Sequence, residues 1–168
     1  NRIAEAKTRG GFSHDVIIVA VTKYQTIEDT NAAIEVGLSN IGENYVQHLK
    51  EKDALLLPCK RHFIGHLQTN KVKALLSMKD IALIQSVDSV KLATEIDKYS
   101  EKLGRTTEIL LQVNIGDEEQ KFGVEPVHTA DELGEFKTSR LPDIAGFYGV
   151  FVDEQMVAGG MTFYFAQA

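Results

Sequence analysis

The sequence predicts an α/β fold built on a parallel sheet, and three observations carry that prediction. Short runs rich in Val and Ile alternate with amphipathic stretches along the chain. Six such steps recur at roughly 20 to 35 residues each, the cadence of βαβ units. The first run, Val16 to Val21, is apolar at every position, as expected for a parallel strand covered on both faces. The cadence leaves two architectures open, a doubly wound sheet and a (β/α)8 barrel. No internal repeat is visible at the level of residues.

The elements follow in order. After the first strand, Thr26 offers an N-cap with Asp29 three residues on, and Gly37 supplies a stop. Asn40-Ile41-Gly42 is a very short second strand. Asn44 and Gln47 resemble a capping pair for a helix from Tyr45 to Leu55, ended by Pro58. Arg61 to Gly65 is the third strand and Thr69 to Ser77 the next helix. Ile81 to Ser86 is the fourth strand, and Asp88 or Ser89 caps a helix whose Leu92, Ile96, Tyr99 and Leu103 share one face before Gly104 closes it. Glu108 to Asn114 is the fifth strand, and Gly116 to Gly123 a loop. Glu125 to Thr138 is expected to be helical, with Pro126 in its first turn, and Ile144 to Phe151 to be a sixth strand. From Leu141 onward there is no Lys or Arg, and Met161 to Phe165 is an uncharged aromatic run. Such a run needs covering, either by the body of the fold or by chain beyond it.

Composition narrows the function classes. The 168 residues carry 18 Lys and Arg against 24 Asp and Glu, a net charge of −6. A chain that wraps nucleic acid carries a basic excess instead, and a polybasic membrane anchor is equally lacking. The longest apolar stretches are far too short to span a bilayer. The opening residues Asn1 to Glu5 have no apolar run, so no secretory leader is expected. One cysteine, Cys59, cannot close an intramolecular disulfide, which points to a reducing compartment and a cytoplasmic location.

Several residues qualify for chemistry. Lys23 lies two residues past the last apolar residue of the first strand, at the end of a parallel strand where α/β active sites gather. Burial there would favour a free amine able to attack an aldehyde; a lysine snorkelling to solvent is the competing reading. Asn44 either caps the following helix or turns its amide to a ligand. His62 and His66 stand at i and i+4, a zinc spacing on a helix but not on a strand, and no metal site is expected. Cys59 next to Pro58 is expected to be an incidental thiol. The acidic loop around Asp117 lacks the calcium-loop pattern, and no phosphate-binding glycine loop or nucleophile elbow occurs.

Taken in order, Val19-Ala20-Val21-Thr22-Lys23, Ile41-Gly42-Glu43-Asn44-Tyr45-Val46-Gln47 and His62-Phe63-Ile64-Gly65-His66-Leu67-Gln68-Thr69-Asn70-Lys71 resemble the pyridoxal phosphate homeostasis protein family. Ser86-Val87-Asp88-Ser89, Gln112-Val113-Asn114 and Lys121 before Gly123 continue the resemblance, which runs from near residue 1 to about Val150. It implies a single (β/α)8 TIM barrel of the alanine racemase N-terminal type binding pyridoxal 5′-phosphate (PLP). Lys23 matches the lysine that forms the internal aldimine, and Asn44 and His62 match positions lining the cofactor pocket. Lys121 matches a loop lysine of less defined role.

The departures carry equal weight. The last two barrel strands and the main phosphate contacts of the family have no counterpart here, and Gly146-Phe147-Tyr148-Gly149-Val150 departs from the family's sixth strand. A (β/α)8 barrel takes about 250 residues, so residues 1–168 are expected to be one PLP-binding barrel domain, C-terminally incomplete, from a longer protein. The resemblance implies a non-catalytic carrier that holds PLP on Lys23 and supplies it to PLP-dependent client enzymes, with neither nucleic acid nor membrane as partner and a monomer slightly favoured. The alternatives are an amino-acid racemase or decarboxylase using the same aldimine, or an interaction domain that has lost the cofactor.

Overall fold

The computed structural model describes residues 2–11, 13, 15–114, 122–124 and 161–166. Helix α1 (Arg2–Gly10) precedes strand β1 (Ala20–Val21), followed by α2 (Ile27–Glu35), β2 (Asn40–Glu43) and α3 (Val46–Lys52). Strand β3 (Lys60–Phe63), helix α4 (Val72–Leu76), β4 (Ile81–Val87), α5 (Val90–Lys102), β5 (Ile109–Asn114) and β6 (Met161–Ala166) complete the order. Short 3-10 turns at Asp53–Leu55 and Thr69–Lys71 follow α3 and lead into α4.

The strands lie in the sheet in sequence order, β1-β2-β3-β4-β5-β6, and the first five pair in parallel. That order decides between the two architectures. A doubly wound sheet reverses direction at a switch point, whereas a barrel lays each strand beside its predecessor. Four consecutive β/α units of a barrel and a fifth strand are therefore present among the described residues. The sixth strand differs from the expectation. Met161–Ala166 pairs antiparallel to β5, from Ile109 opposite Ala166 to Asn114 opposite Met161. The expected helix Glu125 to Thr138, the expected strand Ile144 to Phe151 and Lys121 lie outside the described residues.

The first strand is shorter and more open than its apolar run suggested. Only Ala20–Val21 enters the ladder, and Val16, Ile17 and Ile18 are 50 to 65% exposed. Burial on both faces requires covering layers, and the preceding helix α1 buries none of its residues. Thr26 caps α2 as expected, accepting a hydrogen bond from the Asp29 amide at 3.1 Å. Ser89, rather than Asp88, caps α5 through the Leu92 amide. Leu92 and Ile96 face the core, but Leu103 at the helix end is half exposed.

The core lies between the sheet and its helices. Phe63, Ile84, Ile109 and Leu111 from the strands meet Leu49, Leu75, Leu76, Leu92 and Ile96 from the helices, all at 3% exposure or less. Each such side chain contributes about 1.5–3 kcal/mol by leaving water. At the N-terminal end of β3 the buried Arg61 guanidinium pairs with Asp53 (3.1 Å) and Asp80 (3.3 Å) and donates to the carbonyls of Cys59, Lys79 and Asp53. A buried charge is tolerable only with such compensation. The second partner sits in a tight turn, since Asp80 adopts φ 57°, a conformation aspartate accepts more readily than most residues.

Candidate functional site

The site is built on the C-terminal ends of β1, β2 and β3. Register sets its rows: Val21 lies opposite Gly42, and Gly42 opposite His62. Lys23 and Asn44 each stand two residues beyond this row, so the two come to the same level at the rim of the sheet. The backbone holds that level, because the Thr22 amide donates to the Gly42 carbonyl at 2.9 Å. Gly42 is needed beneath it. A Cβ there would meet Ile64 Cδ1 at 3.0 Å and Val19 Cγ1 at 3.1 Å.

Lys23 is exposed, so the burial expected to desolvate its ammonium is not supplied by the described residues. Asn44 is half-buried, and the structure overturns its expected capping role. The N-cap of α3 is Tyr45, without a side-chain cap bond, while Gln47 donates to Glu51 at 2.8 Å instead. A longer amide in the first turn of the helix reaches a carboxylate at i+4 on the same face. Among the described residues nothing donates to the buried Asn44 Oδ1, a state that costs about 1–3 kcal/mol unless something else donates to it. Its backbone amide donates to Glu43 Oε1 at 2.8 Å.

Gly65, after β3, lies directly against the Asn44 backbone, where any Cβ would overlap the Asn44 carbonyl oxygen. Ser86 Oγ donates to the Gly65 carbonyl at 2.5 Å and ties this turn to β4. The ends of β2, β3 and β4 are thereby locked together.

His62 lies one row below Lys23 and Asn44, and both its ring nitrogens are engaged. Nε2 meets Asn40 Oδ1 at 3.0 Å and Nδ1 meets Gln85 Nε2 at 3.0 Å. Because Asn40 Oδ1 only accepts, Nε2 carries the proton, and Nδ1 accepts from Gln85. Burial, followed by the nearby Lys60 charge, pushes the His62 pKa down, so the ring is held neutral. Register thus sets Lys23 and Asn44 each two residues past the row that holds His62. His62 and His66 are not brought to a shared ligand. His66 pairs with Asp88 at 3.0 Å and stacks on Phe122, ring centroids 3.6 Å apart. Among the described residues no three metal-ligating side chains cluster.

Three features of the rim had no sequence expectation. Tyr24, with φ 64°, brings its hydroxyl within 3.4 Å of the Tyr45 hydroxyl. The His48 ring lies 4.9 Å from that of Tyr45, and the Tyr24 hydrogen bond pushes the Tyr45 pKa up. An open cleft of about 610 Å³ beside Asn44 carries Lys50, Lys71 and Gln68. Glu43 and Lys52 form a buried ion pair at 3.3 Å behind the rim. The strand-to-helix separation of these partners leaves no periodic signal; only the adjacency of an acid and an amide in Glu43-Asn44 hinted at a polar strand end.

Comparison with known proteins gives several relatives. The chain is 46% identical over 127 residues to the pyridoxal phosphate homeostasis protein of Helicobacter pylori, covering 74% of this chain and 57% of that protein. It is 40% identical over 146 residues to the protein of the same name from Aquifex aeolicus, covering 85% and 62%. Among solved structures, PipY of Synechococcus elongatus without PLP superposes with a TM-score of 0.70 at 31% identity, covering 81% of this chain and 64% of that one. The same protein with PLP bound gives 0.68 at 29% identity, covering 81% and 63%. No family model matches the chain. This chain therefore spans 57 to 64% of the length of these relatives.

Proposed function

The chain belongs to the pyridoxal phosphate homeostasis protein family, and from that premise we propose that it binds PLP at the rim of its sheet, with Lys23 as the attachment point. The observation that carries the proposal is an exposed primary amine at Lys23 on the same level of the sheet as the buried Oδ1 of Asn44, which has no hydrogen-bond partner among the described residues. The residues fit the aldehyde end of the cofactor. Bound PLP supplies an electrophilic carbonyl carbon that a primary amine captures reversibly. Asn44 Oδ1 offers the acceptor that a donor group on the ligand would satisfy. His62, neutral and fixed by Asn40 and Gln85, forms the floor of the pocket and contributes rigidity rather than a free nitrogen. The phosphate end has no cradle among the described residues.

The reading extends to a role without turnover: the chain stores PLP and gives it up to client enzymes in the cytoplasm. The relatives are named for homeostasis and not for a reaction. No helix among the described residues is long and apolar enough to cross a membrane. Residues 1–168 form one domain in this reading.

The test is the visible absorbance of the purified protein. A yellow band that borohydride bleaches, that appears on adding PLP, and that Lys23→Ala abolishes is the expected result. A protein that stays colourless with excess PLP overturns the proposal. Incubation of the yellow protein with one amino-acid enantiomer is expected to yield none of the other; its appearance would make the protein an enzyme.

A further inference from the structure

Both partners of the buried ion pair behind the rim reach the backbone of the two ligand-holding residues. Lys52 Nζ donates to the Thr22 carbonyl at 3.0 Å, the peptide group that joins directly to Lys23. The same ammonium meets Glu43 Oε2 at 3.3 Å. The other carboxylate oxygen, Oε1, accepts the Asn44 amide at 2.8 Å. Glu43 is 1% exposed, and the Lys52 side chain 13%. One carboxylate and one ammonium therefore bridge β1, β2 and α3, with a tether at each end landing on the main chain next to Lys23 and Asn44.

Two charges taken from water gain little net stability from each other, and an apolar pair would fill the same space between strand and helix. What an apolar pair would not supply is two directed hydrogen bonds to the ends of neighbouring strands. Strand β1 needs them most. Its ladder spans only Ala20–Val21, and beyond it the chain turns at once into the left-handed Tyr24. We infer that Glu43 and Lys52 are positioning residues for the PLP site, holding Lys23 and Asn44 at one level across β1 and β2. The inference rests on the proposal that these two residues hold the ligand.

The test uses the full chain with the double variant Glu43→Gln, Lys52→Met and the single variant Lys52→Arg. The double variant removes both charges together, keeps an acceptor for the Asn44 amide, and cuts the tether to Thr22. Lys52→Arg keeps the charge opposite Glu43 while replacing the single ammonium with a planar fork that does not reproduce its position. Without ligand, exchange of the Thr22 amide, which donates to the Gly42 carbonyl, is expected to accelerate at least about tenfold in both variants, while exchange within β4 stays at the parent rate. With PLP, uptake at Lys23 is expected to weaken by about 10- to 100-fold, the range for losing an outer-shell partner. Parent-like exchange at Thr22 in either folded variant overturns the inference, as does parent-like PLP uptake. The exchange readout needs no ligand, so it stands even if the parent stays colourless, an outcome that sinks the PLP reading by itself.

Discussion

Replacing Gly65 by alanine tests the contact on which the rim is built. The added Cβ would overlap the Asn44 carbonyl oxygen and lie 2.7 Å from both the carbonyl carbon and the Cα of that residue. Carbon atoms rest at about 3.5–4.0 Å, so close to an ångström must be recovered by moving main chain, since no flexible side chain stands in the way. Retreat is blocked on the other side by the Ser86 hydroxyl bonded to the Gly65 carbonyl. Overpacking of this kind costs typically 1–3 kcal/mol, and backbone against backbone belongs at the upper end. For a domain of this size, about 3 kcal/mol lowers the melting temperature by roughly 6–12 °C. Urea titration of parent and variant measures the loss, and PLP uptake measures the accompanying displacement of Asn44. Gly37→Ala is the control, with open space around the glycine but φ +101°, so its cost comes from conformation and leaves PLP uptake unchanged. A Gly65→Ala protein with parent stability and parent uptake would show that the two turns do not abut, and the reasoning about the rim would fall with it.

Three further outcomes are expected. His62 has a folded pKa below its unfolded value near 6.5 because of burial, so its contribution is intact above that pH and declines as pH falls below it. Melting temperatures from pH 7 to 5 are therefore expected to fall less steeply for His62→Gln than for the parent; parallel curves would contradict the neutral, buried assignment. Ser89→Ala removes the side-chain cap of α5 and is expected to cost about 1 kcal/mol by chemical denaturation. Burial pushes the Cys59 thiol up, so a thiol reagent at neutral pH is expected to label it slowly in the native protein and rapidly in denaturant.

Much of this was legible in the residues, for identifiable reasons. The β/α cadence located β4 and β5 because buried parallel strands are largely apolar and stand out from amphipathic helices, whereas β2 (Asn40–Glu43) and β3 (Lys60–Phe63) carry polar residues and showed only as short segments between helices. Lys23 was visible as the first charged residue after an apolar run. The spatial order of the strands was not legible, since the cadence is the same for an open sheet and a barrel; only the β1-to-β5 ladder separates them. The residues alone left Asn44 open between a helix cap and a ligand contact because a short amide before a helix serves either equally well, and the structure removes the cap. The Glu43–Lys52 pair was invisible for a different reason. Its partners are nine positions apart, one on a strand and one on a helix, and their meeting depends on how α3 returns to the sheet.

The Arg61 cluster also governs how the protein can be dissected by mutation. It fastens the base of β3 to the Asp53 turn and the Asp80 turn, and it shares no side chain with Lys23, Asn44 or Gly65 at the opposite end of the strands. The side chains of the anchor and those proposed for ligand capture are thus different ones. Side-chain changes at Lys23 leave the anchor whole, so an inert but folded chain is obtainable, and such a chain is the reference against which every binding measurement on this protein is best made.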